Sequence, residues 1–474
     1  MMFDKYLYLF PFEAIPKQSN ILIYGAGDVG QEYFQQIQIT KYCTCKAFID
    51  RAYDKYPAMS LPIYAPTEIS VLDFDYIVIA MKTANYISEI KSTLNELGVD
   101  KEKIVYVGGR ISTIQEILCG NDEFGKYEIA PQKGEISIAL KYGPGLGDCI
   151  VKKKFFKELV KIAPNCNIDI YAPNASKYIY SIYADEPNLN LVIDDGGFLY
   201  AQKFSKYTLA IKVFFLLQID FFDEKQAEKV NKKFWGKINL LKKKCETYDL
   251  KPFPPTQAGI HFQRMKIRGE NYYSSFSYDD VFKISDNSVN IPLDNCYKEI
   301  YEKLLLNGKY ITINYGNGSA DNNVESVAKQ WPLEYFRRFV ELYHERYPNV
   351  KIIQIGSVHA KKIIGCDQYE LGQNLDVVKY ILKNALFHLD IEGGLVHLAS
   401  QLGTKCVVLF GPTPVSFFGY EQNCNILAGE CHGCYCLYDN INMCARNLKK
   451  PECMYSISPE IVMEKLKRVV GEDI

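Results

Sequence analysis

The stretch LDIEGGLVHLASQLGTKCVVLFGPT, Leu389 to Thr413, decides the fold. An apolar run ends at a glycine pair. Apolar residues then recur at helical spacing, and a Gly-Thr turn leads into a second apolar run, CVVLF. Strand, helix, strand is a β-α-β unit, whose crossover sets the two strands parallel. The same grammar extends upstream. KYITINYG (309–316) and VKIIQIG (350–356) read as strands, and WPLEYFRRFVELYHERY (331–347) and LDVVKYILKNA (375–385) as helices. In the first of these helices Tyr335, Phe336, Phe339, Val340 and Tyr343 share one face, and Pro332 suits a first turn.

Two further α/β blocks precede this one. ISIALKYGPGLGD (136–148) runs from a strand through a glycine turn into a Lys- and Phe-rich helix, with strands CNIDIYAPN and LNLVID beyond it. ILIYGAGDVG (21–30), CKAFID (45–50) and DYIVIA (75–80) form a small unit at the front. The expected division is a Rossmann-like module over 1–120, a second α/β domain over 130–294 and a third over 295–474. A chain of 474 residues accommodates three such units.

Net charge is -1 and no basic patch interleaves with aromatic motifs, so nucleic acid is not an expected partner. YTLAIKVFFLLQIDFF (207–222), broken by Lys212 and Asp220, is too short to span a bilayer and reads as a buried helix. No basic, apolar, small-residue leader opens the sequence. The cytoplasm, with its 15 cysteines as free thiols, is therefore expected. The cysteine-rich tail, Cys431 to Cys453, permits a zinc site, but its irregular spacing favours reduced structural thiols, and no metal is assigned. Lys152, Lys153, Lys154 and Lys157, with the basic helix over 224–245, suggest either a contact with an anionic membrane surface or plain solvated faces.

Candidate sites lie at the carboxyl ends of strands, where open α/β sheets bind ligands. In the front module, Gly25, Gly27 and Gly30 follow a strand and open a helix, and Asp50 ends the next strand. That is the context of a dinucleotide or nucleotide fingerprint. Its rival is a turn whose glycines merely pack. In the last block, Gly316, Asn317, Gly318 and Ser319 offer backbone N–H groups to an anion, with Lys329 a point charge nearby. Glu392, Gly393 and Gly394 stand at a helix start, His397 lies one turn in, and Thr413 follows the next strand. Asp148, between glycines and a helix, is read either as a helix cap or as a general base.

GLGD after a strand, KQWP before a helix, and EGGLVHLASQLGTKCVVLFGPT with a tail ending CMYSISPEIV resemble glycosyltransferase family 9, the family of the lipopolysaccharide heptosyltransferases. The resemblance spans 134–474 and leaves much of 195–290 unmatched. It implies a GT-B fold, with an acceptor domain and a nucleotide-sugar donor domain facing across a cleft. It also implies inverting transfer to a glycan or lipid-linked acceptor, with no metal or other cofactor required. Asp148 then matches the proposed base, Lys329 the phosphate-binding lysine, and Gly393, Gly394 and His397 the donor motif. The motif's usual Asp is Glu392 here and its Thr or Ser is Gly393; the loop before Lys329 is longer, and no ribose-binding acid stands near Gly356 to His359. The other readings are a non-catalytic nucleotide-sugar-binding or scaffold protein of this fold, and an NAD-dependent enzyme built on GAGDVG.

Overall fold

The computed structural model describes residues 8–470, apart from 57–58, 82–85, 108–135, 174–175, 196, 215–216, 249–258, 305, 307, 317–327, 428 and 435–443. Its described strands form three sheets, distributed over two compact units.

The first unit holds a parallel sheet in the order β3-β2-β1-β4-β5. Its strands are β1 (Asn20–Tyr24), β2 (Thr44–Ile49), β3 (Ile63–Tyr64), β4 (Tyr76–Ile79) and β5 (Ile104–Val105). The central strands are apolar on both faces because helices cover both sides, so they lack the alternation of a half-exposed strand. Helix Asp28–Thr40 starts directly from the glycine turn. A Cβ on Gly30 would lie 1.9 Å from the Gly25 carbonyl oxygen, so only glycine lets the helix begin that close to the strand. The helix Gly259–Ile267 also belongs to this unit, although it falls inside the 130–294 block of the sequence reading.

The second unit holds the other two sheets. One has the order β10-β9-β6-β7-β8, from β6 (Ser137–Lys141), β7 (Asn167–Tyr171), β8 (Leu189–Ile193), β9 (Leu209–Val213) and β10 (Leu217–Phe222). The other is wholly parallel, β13-β12-β11-β14-β15-β16. It comprises β11 (Tyr310–Asn314), β12 (Lys351–Gly356), β13 (Gln368–Leu371), β14 (His388–Ile391), β15 (Cys406–Leu409) and β16 (Cys424–Ile426). The architecture is α/β of the GT-B type, two Rossmann-like sheets in one unit, preceded by the additional Rossmann-like module.

Residues 207–222 correct the sequence reading. Within them, Leu209–Val213 and Leu217–Phe222 are not a buried helix but the antiparallel strands β9 and β10. The run is β-branched and aromatic, which suits a pleated surface. Its two charges pair across the strands, Lys212 Nζ lying 3.3 Å from Asp220 Oδ1. The basic segment that follows is two helices, Glu224–Val230 and Lys232–Tyr248. They part at Asn231, whose side chain accepts from the Phe234 N–H and donates to the Ile162 carbonyl.

The lysines of helix Leu146–Ile162 are a second correction. Lys152 and Lys153 are 1% and 0% exposed, and Lys154 is buried with them, so these three form no membrane-facing surface. Lys153 Nζ reaches the carbonyls of Ile182 and Asn290, each at 2.8 Å, and the carboxylate of Asp185. Lys154 Nζ pairs with Asp286 at 2.7 Å. On the facing half, Lys379 Nζ bonds the Ser181 carbonyl at 2.7 Å, the Pro292 carbonyl at 2.9 Å and Asp376 at 2.8 Å. Buried ammonium groups are tolerated when their protons find such partners. Of the three, Lys379 joins the two sheets' layers.

Candidate active site

Two helix starts meet at the other contact between these layers. Helix Leu146–Ile162 follows β6, and helix Gly394–Gln401 follows β14. A Cβ on Gly147 would lie 2.6 Å from His397 Cδ2, and one on Gly394 would lie 2.9 Å from Leu146 Cβ. The glycines of GLGD and EGG therefore let two helix N-termini touch. Both ends direct partial positive charge into the same space.

Asp148 sits in the first turn of its helix, whose cap is Gly145, so the capping role does not fall to it. Its Oδ1 accepts a hydrogen bond from the Tyr272 hydroxyl. The Tyr272 ring stacks on Phe417 at 5.6 Å, and its backbone N–H donates to the Phe417 carbonyl at 3.0 Å. Thus a residue packed on the last α/β layer orients the carboxylate carried by the preceding one.

Across from Asp148, Lys329 Nζ lies 2.7 Å from Glu392 Oε2. Lys329 is fixed by the buried Trp331 two residues on, whose ring meets Phe336 edge-on at 4.6 Å and whose Nε1 donates to the Ile457 carbonyl. His397 Nε2 lies 3.6 Å from Glu392 Oε1, and its Nδ1 lies 2.7 Å from the Tyr420 hydroxyl. Tyr420 contacts the Tyr273 hydroxyl at 3.0 Å, and Gln401 donates to that same hydroxyl. Burial alone raises the Glu392 carboxyl. The Lys329 ammonium, then the His397 ring, outweigh burial and hold it at about 2. Glu392 is therefore a carboxylate throughout the neutral range.

Beneath these residues, Asn314 at the end of β11 donates to the Gly316 carbonyl and to Asp390. Asp390 faces His388 Nε2 at 3.3 Å, and His388 Nδ1 faces Thr312. Burial pushes the Asp390 carboxyl up. This row of polar side chains fixes the turn at Gly316, whose φ is +121°. Gly393 caps its helix with extended backbone, and Thr413 is buried after β15. Asn317, Gly318 and Ser319 lie outside the described residues.

The structure thus brings Asp148, Lys329, Glu392, Gly394 and His397 to one place. Sequence reasoning missed Tyr272, Tyr273, Tyr420 and Asn314. The tyrosines come from aromatic segments with no fingerprint spacing, and only their count was visible.

In the front module, Asp50 Oδ2 accepts from the Ala26 N–H at 2.8 Å and from the Tyr56 hydroxyl at 3.1 Å; its Oδ1 accepts from the Ala52 N–H. The carboxylate that completes the fingerprint is bound to the glycine turn itself. Asp28 adds a second acid in the first turn of the adjoining helix, at the end a pyrophosphate would approach. In the tail, burial, then the neighbouring thiols Cys431, Cys434 and Cys444, push Cys453 up to about 12. Among the described residues no cluster of three or more His, Cys, Asp or Glu could hold a metal, and Cys436 lies outside them. No helix among the described residues is long and apolar enough to cross a membrane.

The family model described as C2185-like, N-terminal, matches residues 17–105. No curated protein matches the chain. Among solved structures, the chain is similar to the ADP-heptose lipopolysaccharide heptosyltransferase II of E. coli. Identity is 13%, the match covers 71% of this chain and 98% of that one, and the TM-score is 0.45. It is also similar to a glycosyl transferase family 9 structure from Veillonella parvula, at 16% identity, 62% and 86% coverage and a TM-score of 0.39. A third is the iron-containing dodecameric glycosyltransferase TibC of enterotoxigenic E. coli, at 13% identity, 71% and 76% coverage and a TM-score of 0.44.

Proposed function

We propose that the chain is a glycosyltransferase of the family 9 type, moving a sugar from a nucleotide-sugar donor to a hydroxyl of a glycan or lipid-linked acceptor. The observation that carries this reading is the contact of two helix starts, one bearing Asp148 and the other Glu392 and His397.

An acceptor hydroxyl is a weak nucleophile, so a carboxylate must take its proton as it attacks the anomeric carbon. Asp148 has that role. Tyr272 fixes one of its oxygens, and the other takes the acceptor's proton. Attack from the side opposite the leaving diphosphate inverts the anomeric centre. The leaving charge falls to the N-terminus of helix Gly394–Gln401, a preformed donor, and to the Lys329 ammonium once it has exchanged its Glu392 partner. A diphosphate competes with Glu392 for Lys329, and the freed carboxylate is then placed to accept from sugar hydroxyls.

The test is a panel of nucleotide sugars screened by thermal shift, since ligands of the native state raise its midpoint. Turnover of the best binder with glycan acceptors follows. Asp148→Asn is expected to keep donor binding and to lose transfer. Unchanged transfer in that variant removes Asp148 as the base, and the absence of any nucleotide-sugar binding removes the reading altogether.

A further inference from the structure

One buried charge near this site has no role in the mechanism above. Lys152 lies one helical turn beyond Asp148 on helix Leu146–Ile162 and is 1% exposed. Unlike its neighbours Lys153 and Lys154, it makes no ion pair and no hydrogen bond among the described residues. Its ammonium instead sits against two aromatic rings, 5.3 Å from the Tyr142 centroid and 5.5 Å from that of Phe214. Ring faces recover only part of what an ammonium loses on leaving water. A cation held this way is short of an anion.

The place it occupies supplies the rest. Tyr142 and Gly143 directly follow β6, so the ammonium lies at the carboxyl end of the sheet, below the turn that presents Asp148. A Cβ on Gly143 would be 4.0 Å from Nζ and 3.6 Å from Phe214 Cε1. Gly143 is partly exposed, so the cover over the ammonium there is backbone without a side chain. Asp148 and Lys152 at i and i+4 share one helix face, which sets an anion held by Lys152 about 6 Å along the helix from the base.

We propose that Lys152 anchors an anion subsite that takes a carboxylate or phosphate group of the acceptor. The charge then holds the acceptor so that its attacking hydroxyl lies at Asp148. Assigning the anion to the acceptor rests on the transferase reading. The existence of the subsite does not, because it is tested without turnover.

Crystals of the full chain and of Lys152→Met are soaked in selenate, and anomalous peaks are located. Selenate within hydrogen-bond distance of Lys152 Nζ in the wild type, absent in Lys152→Met, supports the subsite. Titration with inorganic phosphate separates this subsite from the one at Lys329. Lys152→Met is expected to weaken one class of phosphate binding by roughly 10-fold or more, and Lys329→Met a different class. No selenate at Lys152, or a phosphate titration of Lys152→Met matching the wild type, overturns the proposal. If Lys152→Met fails to fold, Lys152→Arg serves, and it must retain the selenate. Were transfer never found, a selenate peak at Lys152 would still establish the subsite, and the missing transfer would refute only its assignment to an acceptor.

Discussion

Gly147 and His397 meet so closely that a single added carbon on the glycine would lie 2.6 Å from the imidazole Cδ2. The ring has little room to retreat, being set between Glu392 and the Tyr420 hydroxyl. Gly147→Ala is therefore expected to push the two helix starts apart. Overpacking of this kind costs about 1–3 kcal/mol. Activity should fall by more than the stability loss explains, because reacting groups displaced by about 1 Å lose roughly 100-fold. Circular dichroism and thermal midpoints alongside transfer rates check this. Wild-type rates in Gly147→Ala would show that the contact is not needed for turnover.

Tyr272→Phe keeps the ring that stacks on Phe417 and removes the hydroxyl that donates to Asp148. The expected result is a thermal midpoint close to wild type, unchanged donor affinity, and a kcat lower by roughly 10-fold or more, since the base loses its fixed orientation. A fall in donor affinity with kcat preserved would assign Tyr272 to donor binding instead.

Glu392 gives a pH signature. Its folded carboxyl is held at about 2, against 4.5 for an ordinary glutamate. A depressed acid adds stability that is complete above the unfolded value and is lost as pH falls through the folded one. The window is thus from about 4.5 down to about 2, and the stake is on the order of 3 kcal/mol. Urea midpoints measured from pH 5 to pH 3 should fall less steeply in Glu392→Gln than in the wild type. Identical slopes would mean that the Lys329 pair contributes nothing to the linkage.

Asp50 is expected to act as a structural acid. Asp50→Ala removes the acceptor of the Ala26 N–H inside the glycine turn, a loss of about 1–3 kcal/mol with or without nucleotide present. Thermal unfolding in the absence of ligand checks this. A variant that is unchanged alone but deaf to added nucleotide would assign Asp50 to nucleotide binding instead.

The β-α-β grammar of the last block was legible because buried parallel strands and amphipathic helices have distinct periods. Phe336, Phe339, Val340 and Tyr343 are all buried on one face, as their spacing demands. Residues 207–222 were not legible in this way. A short apolar run has no period of its own, and pairing with a neighbouring strand, which decides the outcome, is non-local. The same limit applies to the site. Asp148, Lys329, Glu392 and His397 carried motif spacing, whereas Tyr272 acts through a ring stacked on Phe417, a contact between residues distant along the chain. The lysines of helix Leu146–Ile162 read as a solvated or membrane-facing stripe because charge suggests exposure. The carbonyl and carboxylate partners of Lys153 and Lys154 come from other segments, which composition does not reveal.

The seam at Lys379 bears on how the molecule comes apart. Two of its three acceptors are carbonyls of Ser181 and Pro292, upstream of the sheet it serves. Severing the polypeptide near residue 295 and producing the later piece by itself would remove two of the three acceptors and return the ammonium to water. Such a fragment is expected to be less stable than the same layer within the whole chain, and calorimetry of the intact protein should register both layers melting in a single endotherm.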